Sequence, residues 1–442
     1  MTTVTTFQNA YAKRLTTAET AASLIPSGVN VSMGMALGEP PALLSAIAAR
    51  VEAGELRDLD VWYFHSLPYA GATLLRYHLM NRVRPHCMFL GEIERALVEQ
   101  GRKDGRRVID FVPLAFSKSS QLLSEVVDVD TFVVTVSPMD RHGWFTFGTS
   151  NDYASTVARS AKRLIVEVNA AMPRVLGESL LHVSEVDAIV ENDVPLPQIP
   201  ERPPSAADQT IARQIASFIP NGACLQMGIG ALPNSVCAEL HDRVDLGVHT
   251  ELLTPGLARL VAAGVVTNRR KQTFTGRSVF TFAMGDKALY DLMDDNPAFN
   301  SLPVQMVNDA RHIAKNHNVV SVNATLQIDL SGACNSEHLM GRQYSGSGGQ
   351  LDFVRGAGAS AGGRSIIACQ ASAKGGTVSR IVPELTGPVT TPRNDTQILV
   401  TEFGVADVRG KSTAERAKAI IGLADPAFRA DLERSARDLG LM

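Results

Sequence analysis

Two similar open α/β/α domains with mostly parallel sheets, related by an internal repeat, are predicted for this 442-residue chain. Three observations predict them: a recurring segment, an alternation of short apolar strands with helical stretches, and a proline-rich stretch between two halves. Ala22–Gly34 (ASLIPSGVNVSMG) and Ala216–Gly228 (ASFIPNGACLQMG) share 7 identities in 13 positions, where unrelated segments would share about one. Each copy reads as a helix end, a Pro-x-Gly turn, a short buried strand and a glycine-bearing loop that leads past Pro40 or Pro233 into a new helix.

Further apolar strands are expected at Phe132–Val136, Leu164–Val168, Val279–Ala283, Ser365–Cys369 and Ile398–Thr401. Strands separated by helical stretches imply parallel sheets covered on both faces. The stretch Asn192–Pro204 (NDVPLPQIPERPP) is a stiff, extended linker, which divides the chain into domains 1–195 and 205–442. Near the C-terminus, Ser412-Thr-Ala-Glu415 is a capping-box pattern that opens a helix.

Composition narrows the class. Apolar residues at 45%, charged residues at 20% and a net charge of −3 describe an ordinary globular protein with no demand for nucleic acid or an anionic membrane. The five cysteines are odd in number and form no C-x-x-C, so neither a disulfide framework nor a zinc knuckle is expected, and a reducing cytoplasm fits. The opening MTTVTTFQNAYAKRL has no apolar h-region and no apolar run approaches membrane-spanning length, which predicts neither export nor a membrane span.

Several motifs fail on inspection. Gly404–Ser412 (GVADVRGKS) has Val405 where a phosphate-binding P-loop needs glycine. Gly358-Ala-Ser360-Ala-Gly362 matches a nucleophile elbow, but no histidine follows His338 to complete a triad. Gly356-x-Gly358-x-x-Ala361 is followed almost at once by the strand-like SIIACQ, where a dinucleotide fingerprint needs a helix. The histidines show no metal-ligand spacing, so no metal is expected.

A carboxylate among glycine loops remains. Glu337 lies seven residues beyond the apolar run ATLQIDL, outside the expected carboxyl end of a strand, where open α/β sheets bind ligands. Read by itself it is more readily a solvated loop glutamate. Gly228-Ile-Gly230-Ala-Leu-Pro233 is a tight strand-to-helix turn or an oxyanion site of main-chain N–H groups. Ser345-Gly-Ser-Gly-Gly-Gln350-Leu-Asp352-Phe is a surface loop or a cradle for a phosphate-rich cofactor tail.

These stretches join a longer ordered series. The first half holds Ser137-Pro138, His142-Gly143, Asp152-Tyr153, Glu167-Val-Asn169, Met172-Pro173-Arg174 and His182-Val-Ser-Glu-Val-Asp187. The second half holds Asp245-Leu-Gly-Val-His249-Thr-Glu251, Val307-Asn308-Asp309, Ser336-Glu337, Arg355-Gly-Ala, Ser379-Arg-Ile-Val-Pro383 and Thr401-Glu-Phe-Gly-Val-Ala406. Over nearly its whole length the chain resembles the acetyl-CoA hydrolase/transferase family of CoA-transferases, which holds the 4-hydroxybutyrate, acetate/butyrate and itaconate CoA-transferases.

The resemblance implies ping-pong transfer of CoA from an acyl-CoA to a carboxylate through a covalent glutamyl-CoA thioester, with the nucleophile falling on Glu337. It implies oxyanion donors at Gly228 and Gly230 and a CoA-binding stretch at Gly346, Gly348, Gly349, Gln350 and Asp352. It also implies coenzyme A as co-substrate, no metal, and a homo-oligomer. Glu402 belongs to another family motif and either touches substrate, orders a loop or packs between domains. Asn308 and Asp309 either line the site or cap a loop, capping being the expectation.

The segment Trp62–Pro113 most resembles the itaconate-type members, which take CoA from succinyl-CoA to a C5 dicarboxylate. A second carboxylate calls for a cation, and Arg76, Arg82 and Arg84 are the candidates for it. The alternatives are a 4-hydroxybutyrate or acetate CoA-transferase and an acyl-CoA hydrolase. A CoA-binding protein without catalysis would have no use for a nucleophile.

Overall fold

The computed structural model describes residues 6–442, so the first five residues of the opening stretch read for an export signal lie outside it. The chain forms two compact units: one runs up to Ile199 and includes Thr281–Met306, the other comprises Pro200–Phe280 and Val307–Met442. Each is an α/β unit built on a largely parallel sheet.

The first unit carries β1 (Asn30–Met33), β2 (Leu59–Tyr63), β3 (Val83–Cys87), β4 (Asp110–Phe111), β5 (Val129–Val136), β6 (Arg163–Val168) and β7 (Ala188–Glu191). Their order is β4-β3-β2-β1-β5-β6-β7, with every pairing parallel. Helices cover both faces, so central strands read as continuous apolar runs, and seven of the eight β5 residues are buried. The helix Pro41–Ala53 starts on a proline and stops at Gly54 (φ +76°), and it buries Leu43, Leu44, Ile47 and Val51 against the sheet core.

The second unit carries β8 (Cys224–Met227), β9 (Gly247–Val248), β10 (Val319–Ala324), β11 (Arg364–Ala368), β12 (Ile398–Thr401) and β13 (Gly404–Asp407). The order is β9-β8-β10-β11-β12-β13, parallel except for the final hairpin.

The repeat has a physical basis. Gly28 and Gly222 both sit at φ +76°, which only glycine adopts freely. Gly28 N–H donates to Arg57 O (3.0 Å) and Gly222 N–H to Val244 O (2.9 Å), each closing the turn that launches an interior strand, β1 or β8.

Two expectations change. Val279–Ala283 is two short strands, Ser278–Phe280 and Phe282–Ala283, because the Thr281 carbonyl accepts the N–H groups of Asn151 and Asp152. ATLQIDL is not a strand of the main sheet: β10 ends at Ala324, and Gln327–Asp329 pairs instead with Cys334–Asn335 and Ile381–Val382 in a small accessory sheet. The Ser412 capping box forms as read, with Glu415 N–H donating to Ser412 Oγ. Ser360 ends the helix Gln350–Ala359 and donates to Asn316 O (2.6 Å), so Gly358–Gly362 is a helix terminus rather than an elbow.

Candidate functional site

The carboxyl ends of β8 and β9 bring the chemistry together. Past β8, Gly228 N–H donates to Val322 O (2.9 Å), so that amide is spent within the sheet and is not offered to an oxyanion. Gly230, at φ +115°, opens the helix Ala231–Ala238, and Ile229 between the two glycines is 57% exposed. Of the two expected donors, Gly228 is thus taken up by the sheet, while Gly230 stands at the start of the helix.

On the neighbouring strand, β9 leads through His249 and Thr250 to Glu251. His249 N–H donates to Leu225 O (3.0 Å), and Met227 N–H donates to Thr250 Oγ1 (3.4 Å), which ties this exit to the β8 loop. Asn308 Nδ2 donates to Glu251 Oε2 (2.6 Å). Gly349 N–H also bonds this carboxylate, and a Cβ at Gly349 would overlap both Glu251 Oε2 and Asn308 Nδ2. Glu251 is half-buried as a residue, while its carboxyl is enclosed. Burial pushes the carboxyl up to about 7; the Asn308 bond opposes this, the Asp352 charge adds to it, and the Gly349 bond opposes it again. Asn308 Oδ1 is buried without a partner.

Glu337 follows the edge strand of the accessory sheet and is 8% exposed, and its neighbour Ser336 donates through Oγ to Ala324 O (3.4 Å) at the end of β10. Both its oxygens are bonded: Oε1 accepts from Thr390 Oγ1 (2.9 Å) and Oε2 from Gln343 Nε2 (3.1 Å). Gln343 Nε2 also donates to Ser345 O (3.1 Å), and Tyr344 and Ser345 N–H donate to Glu337 O. Glu337 therefore braces the root of the glycine loop whose far end, Gly349, meets Glu251. Within that loop Gly346 is buried and Gly348 is left-handed (φ +56°). Gln350 Nε2 is committed to Thr391 Oγ1 (3.0 Å), and Asp352 lies in the first turn of the following helix.

The three arginines are committed at the opposite end of their sheet. Arg82 directly precedes β3 and donates to Val51 O (2.6 Å) and Glu52 O (3.1 Å). Arg84 pairs with Asp60 (3.2 Å) and Arg76 with Glu52 (2.7 Å). None is a spare cation at the carboxyl ends of the strands. Arg76→Ala, Arg82→Ala and Arg84→Ala are each expected to leave the ratio of succinyl-CoA to acetyl-CoA turnover within about twofold, because each is already engaged by Glu52, Asp60 or main-chain carbonyls and offers no free fork to a second carboxylate; initial rates with both donors check this.

Glu402 orders a loop, with Oε2 accepting Ala371 N–H (2.9 Å) at the turn between β12 and β13. Asp309 caps a short helix through Arg311 N–H, as expected of it, whereas Asn308 reaches Glu251. Among the described residues no cluster of His, Cys, Asp and Glu could hold a metal, and no helix is long and apolar enough to cross a membrane. Sequence reasoning passed over Glu251. The available signal was a glutamate just past the short run Leu246–His249, one strand away from the Gly228 loop.

Comparison with known proteins places this geometry. The acetyl-CoA hydrolase/transferase N-terminal domain matches residues 2–200, and the C-terminal domain matches residues 285–436. The chain is 40% identical to a succinyl-CoA:cyclohexane-1-carboxylate CoA transferase of Geobacter metallireducens, over 98% of this chain and 97% of the relative. It is 39% identical to a 4-hydroxybutyrate coenzyme A transferase of Clostridium kluyveri, over 96% and 98% respectively. The crystal structure of RipA from Yersinia pestis superposes with a TM-score of 0.97 at 56% identity, covering 99% of this chain and 100% of that one. The chain therefore belongs to the acetyl-CoA hydrolase/transferase family and is a CoA-transferase acting between an acyl-CoA and a carboxylate.

Proposed function

We propose that transfer runs by double displacement through Glu251, not Glu337, in the half of the chain that follows the proline-rich linker. The observation that carries this reading is the Glu251 carboxyl: desolvated, and gripped by Asn308 and Gly349 beside the strand-end glycine turn. Its carboxylate attacks the donor thioester, forming an acyl-glutamyl anhydride and releasing CoA thiolate. The thiolate attacks the glutamyl carbonyl, expelling the first carboxylate and leaving a glutamyl-CoA thioester. The acceptor carboxylate then repeats both steps in reverse. Anhydride and thioester are both activated acyls, so exchange needs no ATP. Carboxylate is a weak nucleophile in water; the enclosed site removes its hydration and CoA binding offsets that cost. Gly230 at the helix start is suited to steady the tetrahedral oxyanion, while Glu337 holds the loop that carries Gly349.

Attack requires ionised Glu251, so kcat/KM should fall about tenfold per pH unit below the Glu251 value of about 7. Initial rates between about pH 5 and 8 test this, and a flat acid side would count against Glu251.

As donor we favour a short acyl-CoA, succinyl-CoA foremost. The likeness of Trp62–Pro113 to itaconate-type members supports this, as does a 40% identical relative named for succinyl-CoA. The same likeness favours an itaconate-type dicarboxylate as acceptor; 4-hydroxybutyrate is the alternative, supported by the relative named for it, and the family resemblance as a whole favours a homo-oligomeric assembly. With succinyl-CoA as donor, itaconate should outpace 4-hydroxybutyrate and acetate. Equal or faster turnover with 4-hydroxybutyrate would overturn the acceptor assignment, and CoA release at the same rate without any acceptor would overturn transfer in favour of hydrolysis.

A further inference from the structure

Beneath Glu251 lies a buried charge that the reaction above leaves unused. Lys271 is 5% exposed, and its ammonium donates to Val248 O (2.8 Å) and Arg277 O (2.6 Å). Both partners are main-chain carbonyls, not carboxylates. Burying an ammonium without a counter-charge is costly, and a side chain of ordinary stabilising use would be apolar there. The strand is shaped around the lysine: a Cβ at Gly247 would stand 2.7 Å from Lys271 Cγ. Val248 N–H in turn donates to Asn268 Oδ1 (2.8 Å). One short turn, residues 268–271, thus fixes both polar main-chain groups of Val248, three residues before Glu251.

The next residue extends the chain of contacts. His249 Nε2 lies 2.8 Å from Val307 O. Burial, and then the Lys271 charge, lower the His249 imidazole to about 3, so the ring is neutral and its single proton sits on Nε2 as the donor. Val307 precedes Asn308, whose amide donates to Glu251.

We propose that Lys271 is a positioning residue for Glu251: its ammonium anchors the Val248 carbonyl and, through His249 and Val307, sets the place from which Asn308 presents its amide to the carboxylate. This rests on Glu251 being the nucleophile. Burial lowers the Lys271 ammonium to about 8, so its charge is lost within an accessible pH range. The titratable groups facing it are His249, already neutral, and the Cys224 thiol on β8, which burial raises to about 11.

The test compares Lys271→Met, which keeps the stem but no donor, with Lys271→Gln, which keeps one. Lys271→Met is expected to lower kcat at least about tenfold with KM for the acyl-CoA within about threefold, because misplacing a reacting group costs the chemical step more than binding. Wild type should lose kcat above about pH 8, Cys224→Ala should keep that alkaline limb, and both Lys271 variants should lack it. If Lys271→Met does not fold, Lys271→Gln decides by the same profile. Lys271→Met with wild-type kcat, or an alkaline limb that persists without the lysine, overturns the inference. Glu251→Gln separates the two claims. A CoA adduct that survives Glu251→Gln removes the nucleophile reading itself, whereas an adduct lost there with wild-type behaviour in the Lys271 variants removes this inference alone.

Discussion

Glu251→Gln should lower turnover by at least about 10⁴-fold while leaving the protein folded. The amide is nearly isosteric and still fills the space beside Asn308 and Gly349, but it cannot open a thioester. Stability should move the other way. The Glu251 carboxyl titrates near 7 in the fold, against an ordinary value of 4.5, so the folded state binds more protons between those values. Wild type therefore loses stability as pH rises through this window. Above it, Glu251→Gln should be the more stable protein by about 1–3 kcal/mol, a gap that thermal melts at about pH 8 and pH 5 would check by its closing at the lower pH. A variant that is inactive because it is damaged would melt earlier at both.

Gly349→Ala carries the second largest effect. Gly349 has φ −100°, a conformation any residue adopts, so backbone strain is not the reason for glycine here. The reason is contact: an added methyl overlaps the Glu251 carboxylate and the Asn308 amide. Shifting the nucleophile by even an ångström costs about 10²-fold in rate, and a loss of that order is expected in kcat. Gly341→Ala is the contrast. Gly341 is left-handed (φ +79°) with open space around it, so alanine there strains an exposed hairpin tip and should leave turnover near wild type. Comparable losses in both variants would point to loop destabilisation rather than contact with Glu251.

The architecture was legible in the sequence because its signals are local. The Pro-x-Gly turns at Gly28 and Gly222 demand left-handed glycine, and the apolar runs of β5, β6, β11 and β12 bury on both faces. The site was less legible because its determinants are not local. Glu251 follows a strand of only two residues, and what encloses its carboxyl comes from Asn308, 57 positions away, and from the later Gly349 loop. Glu337 looked better placed because ATLQIDL reads as one strand. In the fold the chain leaves the main sheet at Thr325, whose hydroxyl turns back to Asn335 O (2.9 Å), so Gln327–Asp329 joins an accessory sheet and both Glu337 oxygens are taken up by Thr390 and Gln343. The glycine loop was found but its contacts were not: Gly349 clears room for a carboxylate, and Gln350 is tied to Thr391. The charge of Arg76, Arg82 and Arg84 was visible, while their partners Glu52, Asp60 and the carbonyls of residues 51 and 52 were not.

The most direct measurement is mass spectrometry of peptides from enzyme quenched after brief mixing with succinyl-CoA without acceptor. A CoA thioester on the peptide bearing Glu251, still present in Glu337→Gln and absent in Glu251→Gln, is the predicted result. A thioester mapped to the peptide bearing Glu337, or turnover with no covalent CoA at any time point, would contradict it.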